Sequence, residues 1–174
     1  MHKYEDSHNI VRGKKGSEIT AMVFGGYFPN PSVGIEPKYI NWAYALGAEF
    51  WITALLGFMV FMLTDPNNKV VPKQAVPFII GFVIATLVGL YESLTVAIFN
   101  PARGFGSRLV AYLAGWGSIA IPGPRNGFWV YMLGPFVGGP VGAALYDYTL
   151  APFMKAALEQ NEEPSNEYEL KIKG

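Results

Sequence analysis

The chain of 174 residues has no cysteine, which excludes a disulfide frame and a thiolate metal site. Histidine is almost as scarce: His2 and His8 lie in a polar N-terminal stretch, and no chemistry is read from them. No nucleophile–base pair or metal-ligand cluster stands out, so the sequence argues against an enzyme and implies no cofactor. Charge is sparse and balanced, 13 Lys and Arg against 13 Asp and Glu, which leaves no basic surface for nucleic acid. Met1 to Glu18 has no apolar core and is not a signal peptide. A disordered tail is expected there, with Lys3, Arg12, Lys14 and Lys15 free to touch lipid headgroups.

What the chain has in quantity is apolar surface. Hydrophobic residues make up 51% and aromatics 15%. Between Pro37 and Leu150 the charged residues are Lys38, Glu49, Asp65, Lys69, Lys73, Glu92, Arg103, Arg108, Arg125 and Asp147, most of them between apolar runs. This is the pattern of an integral membrane protein. Residues 41–64 hold a single full charge, Glu49, and are long enough to cross roughly 30 Å of hydrocarbon. Asp65-Pro66-Asn67-Asn68-Lys69 is a polar turn. A second span runs over about 74–91 and a third over about 128–150, the latter with Trp129, Tyr131, Tyr146 and Tyr148 as interface anchors. Ile19 to Phe28 is too short to cross and reads as an interfacial or buried turn.

Small residues recur every fourth position, as Gly81, Ala85 and Gly89 and as Gly134, Gly138 and Gly142. Both stripes read as sites of close helix packing. Residues 1–36 are taken as polar tail and loop, and 151–174 as an acidic tail.

One stretch does not fit a simple set of spans. After the second apolar run comes Phe99-Asn100-Pro101-Ala102-Arg103-Gly104-Phe105-Gly106. Asn is a preferred helix N-cap and Pro suits the first helical position, so a short helix over about 100–114 starts at membrane depth. Its amide end would carry roughly half an elementary positive charge toward the midplane. An arginine there costs at least about 2.5–3.5 kcal/mol on insertion scales, so by default it lines a wet path. The segment from Glu92 to Phe99 reads as an extended return, whose carbonyls must line a cavity or be covered by protein. Arg103 has two readings, a structural ion pair or a pore-facing donor.

Asn100-Pro101-Ala102-Arg103, followed by Phe105-Gly106 and Leu113-Ala114-Gly115-Trp116-Gly117, resembles the second signature loop of the aquaporin and aquaglyceroporin channels. The likeness runs from about Phe28 to Tyr148 and covers only the second, C-terminal repeat of that fold. It implies an all-α membrane protein, half of the aquaporin fold, with three transmembrane helices and one re-entrant half-helix. It assigns Asn100, Ala102 and Arg103 to the pore, Val88 and Ala97 to the constriction, and Glu49 to support of the re-entrant loop. Read without the resemblance, a lone buried Glu49 also fits cation binding or proton relay. Glu92 stands where a small or neutral residue is usual, and is either solvated at the mouth or acts on permeation.

Asn30-Pro31-Ser32 is not a first copy of the signature, because no apolar half-helix follows it. Val88 is not the histidine of water-selective members, and Gly104 lacks the aspartate of glycerol-passing ones. Arg108 is of glycerol type, while Tyr131-Met132 lacks the proline those members carry. The balance leans to an aquaglyceroporin-type passive channel for water, glycerol and small uncharged solutes. The resemblance also implies a homo-oligomer, a tetramer, in a lipid bilayer with the C-terminus cytoplasmic. With one repeat present, three alternatives stay open: a truncated copy of a full channel, a half-channel that pairs with a complementary half or an inverted copy, and a non-conducting structural or regulatory membrane subunit.

Overall fold

The computed structural model describes the backbone of residues 1–172 and side chains as far as Gln160. The described residues form helices and loops in the order α1 (His2–Ser7), α2 (Glu18–Ala21), α3 (Trp42–Thr64), α4 (Val76–Thr95), α5 (Pro101–Ala111) and α6 (Gly127–Ile172). A π turn, Tyr112–Trp116, continues α5, and short 3-10 turns at Gly117–Ile119 and Pro124–Asn126 lead into α6. Three helices are long and apolar enough to cross a membrane, within Trp42–Thr64, Val76–Thr95 and Pro124–Gln160. The protein is an all-α membrane protein.

Helix α3 starts where Asn41 caps it: the side-chain oxygen accepts from Tyr44 N at 2.9 Å. It packs along α6 through the second glycine stripe. A Cβ at Gly134 would lie 2.8 Å from Glu49 Cβ, and one at Gly138 or Gly142 would overlap the carbonyl oxygens of Phe50 and Ala54. Gly57 meets α6 from the other side, where a Cβ would stand 2.7 Å from Gly139 O. Backbones this close gain van der Waals contact that lipid tails cannot match. The stripe on α4 behaves differently. Nothing lies within 4 Å of a Cβ built at Gly81 or Gly89, so the close packing expected there is not made inside this chain.

Two expectations from the sequence are corrected, and the end of the last helix is shifted. Residues 92–95 are the last turn of α4 rather than extended chain, and the return is confined to residues 96–100. Glu92 is exposed and therefore no obstacle to the helix, and its carbonyl accepts from Val96 N at 2.9 Å in a left-handed cap. The N-terminal residues are not a loose tail. Buried Glu5, 3% exposed, takes Arg12 in a fork of 2.8–3.1 Å. The neutralised guanidinium lies 4.2 Å from the Trp116 ring centre and donates to Ala114 O at 3.2 Å. A planar, weakly hydrated cation suits that stacked position. Helix α6 also runs past residue 150 without a break through Ile172, and the side chains of residues 161–174 lie outside the described set.

Two buried clusters sit at one end of the bundle. Ala21, Tyr27, Ala111, Trp116 and Ala120 join the N-terminal segment to the far end of α5. Phe28, Ala45, Ile98, Val130 and Tyr131 form the seat beneath the link between α4 and α5.

Candidate functional site

The site begins with the cap of α5. Asn100 is extended, at φ −147° and ψ 110°, and its side-chain oxygen accepts from Arg103 N at 3.1 Å. Pro101 follows at the first helical position, where its missing N–H is no loss. The amide end of the half-helix thus lies at the foot of the link, and Asn100, Ala102 and Arg103 are all exposed on it.

The link itself is bent tightly. Val96, Ala97 and Phe99 have φ of 64°, 45° and 31°, a region that residues other than glycine seldom occupy. Each such residue costs on the order of 1–3 kcal/mol and persists only where its surroundings hold it. Glu49 supplies one hold. Wholly buried on α3, it accepts from Ile98 N at 3.1 Å through Oε1 and from Phe99 N at 2.8 Å through Oε2. Both oxygens accept backbone amides of the link. Tyr131 on α6, also fully buried, donates its hydroxyl to Thr95 O at 3.0 Å. Ala97 O, in the middle of the bend, accepts a long hydrogen bond of 3.4 Å from Arg103 Nη1.

Among the described residues no carboxylate comes within ion-pair distance of Arg103. Its guanidinium donates to the neutral Ala97 carbonyl, and Glu49 acts on it only at a distance, so a contact ion pair is not the arrangement found. Val88 lies two turns before the end of α4 and is half-buried, while Ala97 is buried at the bend. The structure therefore joins Asn100, Arg103, Ala97 and Glu49 in one hydrogen-bonded unit, with Ala102 on the same exposed turn and Val88 on the neighbouring helix.

Three residues, Asn30, Arg108 and Tyr131, support the site in ways the sequence did not indicate. Asn30 donates from Nδ2 to Glu92 O at 3.2 Å, and its backbone N–H donates to Ser93 O at 3.2 Å. Arg108 is 1% exposed and donates to Ala120 O at 2.6 Å and to Gly26 O, with its guanidinium 4.7 Å from the Tyr27 ring centre and 5.1 Å from that of Tyr131. It fastens the outer loops to α5. Tyr131, expected with Tyr146 among the interface anchors, is corrected: both rings are buried inside the bundle, and the Tyr131 hydroxyl serves the link instead. Gly104 now has a physical reason: a Cβ there would stand 3.0 Å from Met132 Cε and 3.4 Å from Ile98 Cγ2 and Tyr131 Cβ. The space an aspartate would need is filled.

Three apolar helices long enough to cross a membrane, with a short capped helix between the second and the third, define a membrane half-fold. The chain belongs to the major intrinsic protein family, whose model matches residues 16–146. It is 42% identical over 145 residues to a glycerol uptake facilitator protein of Haemophilus influenzae, covering 82% of this chain and 52% of that protein. Its identity to the Escherichia coli K12 glycerol uptake facilitator protein is 40%, covering 82% and 49%. A propanediol uptake facilitator of Citrobacter freundii is 35% identical over 165 residues, covering 92% and 58%. The chain thus spans about half the length of the curated relatives it matches. An aquaglyceroporin of Plasmodium falciparum, solved by X-ray crystallography, superposes with a TM-score of 0.67 at 23% identity, over 88% of this chain and 59% of that one. The fold is half of the aquaporin fold.

Proposed function

We propose that this chain is the second half of an aquaglyceroporin-type channel that lets glycerol, water and small uncharged solutes pass down their gradients. The observation that carries this reading is the Arg103 guanidinium held on the Ala97 carbonyl, with no carboxylate among the described residues within ion-pair distance. Its remaining N–H groups donate to solute hydroxyls, and its charge repels cations. The Asn100 side-chain oxygen is occupied by the helix cap, which leaves its NH₂ to donate to the same hydroxyls. Val88 and Ala97 narrow the path without a histidine. A polyol has a hydroxyl edge and a carbon edge, and a path with donors on one wall and alkyl groups on another suits both.

Conduction requires a complementary half. Asn100 and Arg103 are exposed, and the glycine stripe of α4 faces no helix of this chain. Against lipid, a bare Arg103 would cost at least about 2.5–3.5 kcal/mol. The opposing repeat comes from a longer protein, a second chain or an inverted copy, and the assembled channel is a tetramer with the C-terminal end of α6 on the cytoplasmic side. Light-scattering measurements of vesicle swelling test this. Proteoliposomes would hold the chain alone, or the chain with the first-repeat half of the Escherichia coli facilitator. Glycerol flux above that of empty vesicles in the paired preparation supports the channel. Flux equal to empty vesicles in both preparations points to a non-conducting membrane subunit instead.

A further inference from the structure

The bend between α4 and α5 is anchored at both of its ends, and the upstream anchors are not among the residues assigned to the pore. Asn30 is 1% exposed and bonds to two successive carbonyls, Glu92 O through Nδ2 and Ser93 O through its N–H, both at 3.2 Å. Carbonyls at the end of a helix lack their full set of intrahelical partners; Glu92 O already takes Val96 N at 2.9 Å, and Asn30 adds a second donor to it and one to Ser93 O. The Asn30 oxygen accepts from Ser32 N at 2.9 Å and Ser32 Oγ at 2.8 Å, which fixes the amide so that its NH₂ faces Glu92. Tyr131 takes a carbonyl two residues further on, Thr95 O, at 3.0 Å. Its ring has no room to turn: a Cβ at Gly26 would stand 2.7 Å from Tyr131 Cε1, and one at Gly104 would stand 3.4 Å from Tyr131 Cβ. Downstream, Glu49 holds the Ile98 and Phe99 amides. Between these anchors lie Val96 and Ala97, both at positive φ, and the carbonyl that receives Arg103.

We propose that Asn30 and Tyr131 are positioning residues for Arg103: by fixing residues 92–95 they set the tilt of the Ala97 carbonyl, and with it the width and donor geometry of the constriction. The role in selectivity rests on the channel reading above; the clamp on the bend does not. The Asn30-Pro31 loop, which is no second signature, thereby acquires a task at the site.

Two variants separate the anchors from the fold. Tyr131→Phe keeps the ring and removes only the hydroxyl, while Asn30→Ala removes the bond from Nδ2 together with the two that Ser32 makes to Oδ1 and leaves the backbone bond to Ser93 O. The first readout, amide hydrogen exchange of the chain in detergent micelles, needs no conduction. Exchange of residues 96–99 should rise up to roughly tenfold in Tyr131→Phe, since losing one hydrogen bond of typical net strength shifts a local opening equilibrium by about that factor, and at least as much in Asn30→Ala, while residues 50–60 of α3 stay unchanged. Unchanged exchange at 96–99 overturns the proposal, as does equal acceleration in α3. The second readout is the ratio of glycerol to erythritol flux in the paired preparation. A shift in that ratio supports control of the constriction, whereas an equal fall in both fluxes means loss of folded protein and overturns it. If the unmodified paired preparation carries no flux, the channel reading fails on its own, and the exchange result alone decides whether the clamp exists.

Discussion

Glu49 on α3 accepts the amide of Phe99 at 2.8 Å across 50 positions of sequence, and the same carboxylate takes the Ile98 amide at 3.1 Å. One side chain thereby satisfies two backbone donors that the bend has turned away from every helix. Replacement by alanine leaves both N–H groups buried and unpaired, at about 1–3 kcal/mol each. Glu49→Ala should therefore lower the thermal unfolding midpoint in detergent and abolish any glycerol flux. Glu49→Gln keeps one acceptor, so its midpoint should fall between those of the alanine variant and the parent. An unshifted midpoint for Glu49→Ala would mean that the bend holds itself.

The half-helix was legible because its signal is local. An asparagine cap, a proline in the first position and an arginine in the first turn are adjacent in sequence, and their meaning follows from helix chemistry. The role of Glu49 needed the family resemblance, since nothing near position 49 announces a partner at 98 and 99. Tyr131 and Asn30 were not legible at all. Their bonds to Thr95 O and Glu92 O span 36 and 62 positions and leave no periodic trace. The N-terminal segment misled for a similar reason. Its charges look solvated until Arg12 meets Trp116 and Glu5 in space.

The glycines of α6 differ from those of α4 in what surrounds them, and substitutions should separate the two stripes. Gly142→Val drives a side chain into the Ala54 carbonyl, so α3 and α6 must part. Overpacking of this kind costs about 1–3 kcal/mol or more, and the folded yield should drop. Gly81→Ala and Gly89→Ala meet open space in this chain. They should be neutral or gain up to about 1 kcal/mol from better helix propensity. Size-exclusion profiles and unfolding midpoints of the three variants would show the contrast.

Gly104 predicts the effect of restoring the aspartate that glycerol-passing members carry. With Met132 Cε 3.0 Å from the new Cβ, and Ile98 Cγ2 and Tyr131 Cβ at 3.4 Å, Gly104→Asp must displace Met132 or push against Ile98 and Tyr131. The expected cost is about 1–3 kcal/mol. Pairing the change with Met132→Ala opens the space and should recover most of the loss. A double-mutant cycle on unfolding free energy measures the coupling, and strict additivity would show that the two positions do not compete for volume.

Arg103 is held by one long bond to Ala97 O and otherwise presents its charge. Arg103→Lys keeps a positive charge but loses the planar fork that donates in two directions at once. In the paired preparation it should keep cations out while cutting glycerol flux severalfold. Arg103→Ala removes the charge as well, and a leak of small cations should follow. Fluorescent ion indicators trapped in the vesicles read the leak, and light scattering reads the glycerol. A tight barrier in the alanine variant would assign exclusion to the half-helix dipole alone.

The Glu5–Arg12 pair makes the docking of the N-terminal segment sensitive to acid. The hydrogen bond from Arg12 holds the Glu5 carboxyl below its ordinary value of 4.5, with His2 Nδ1 approaching to 3.8 Å. A carboxyl whose folded value is depressed contributes stability that is complete above its unfolded value and fades as pH falls through the folded one. The segment should therefore stay docked from neutral pH down to about the ordinary value and release below it. Release uncovers the Trp116 ring, against which Arg12 lies at 4.2 Å. Acrylamide quenching of tryptophan fluorescence should rise below pH 4.5 in the parent chain. Glu5→Gln, with no carboxyl to protonate, should show the higher quenching at neutral pH and no step on acidification. A step of equal size in that variant would place the titrating group elsewhere.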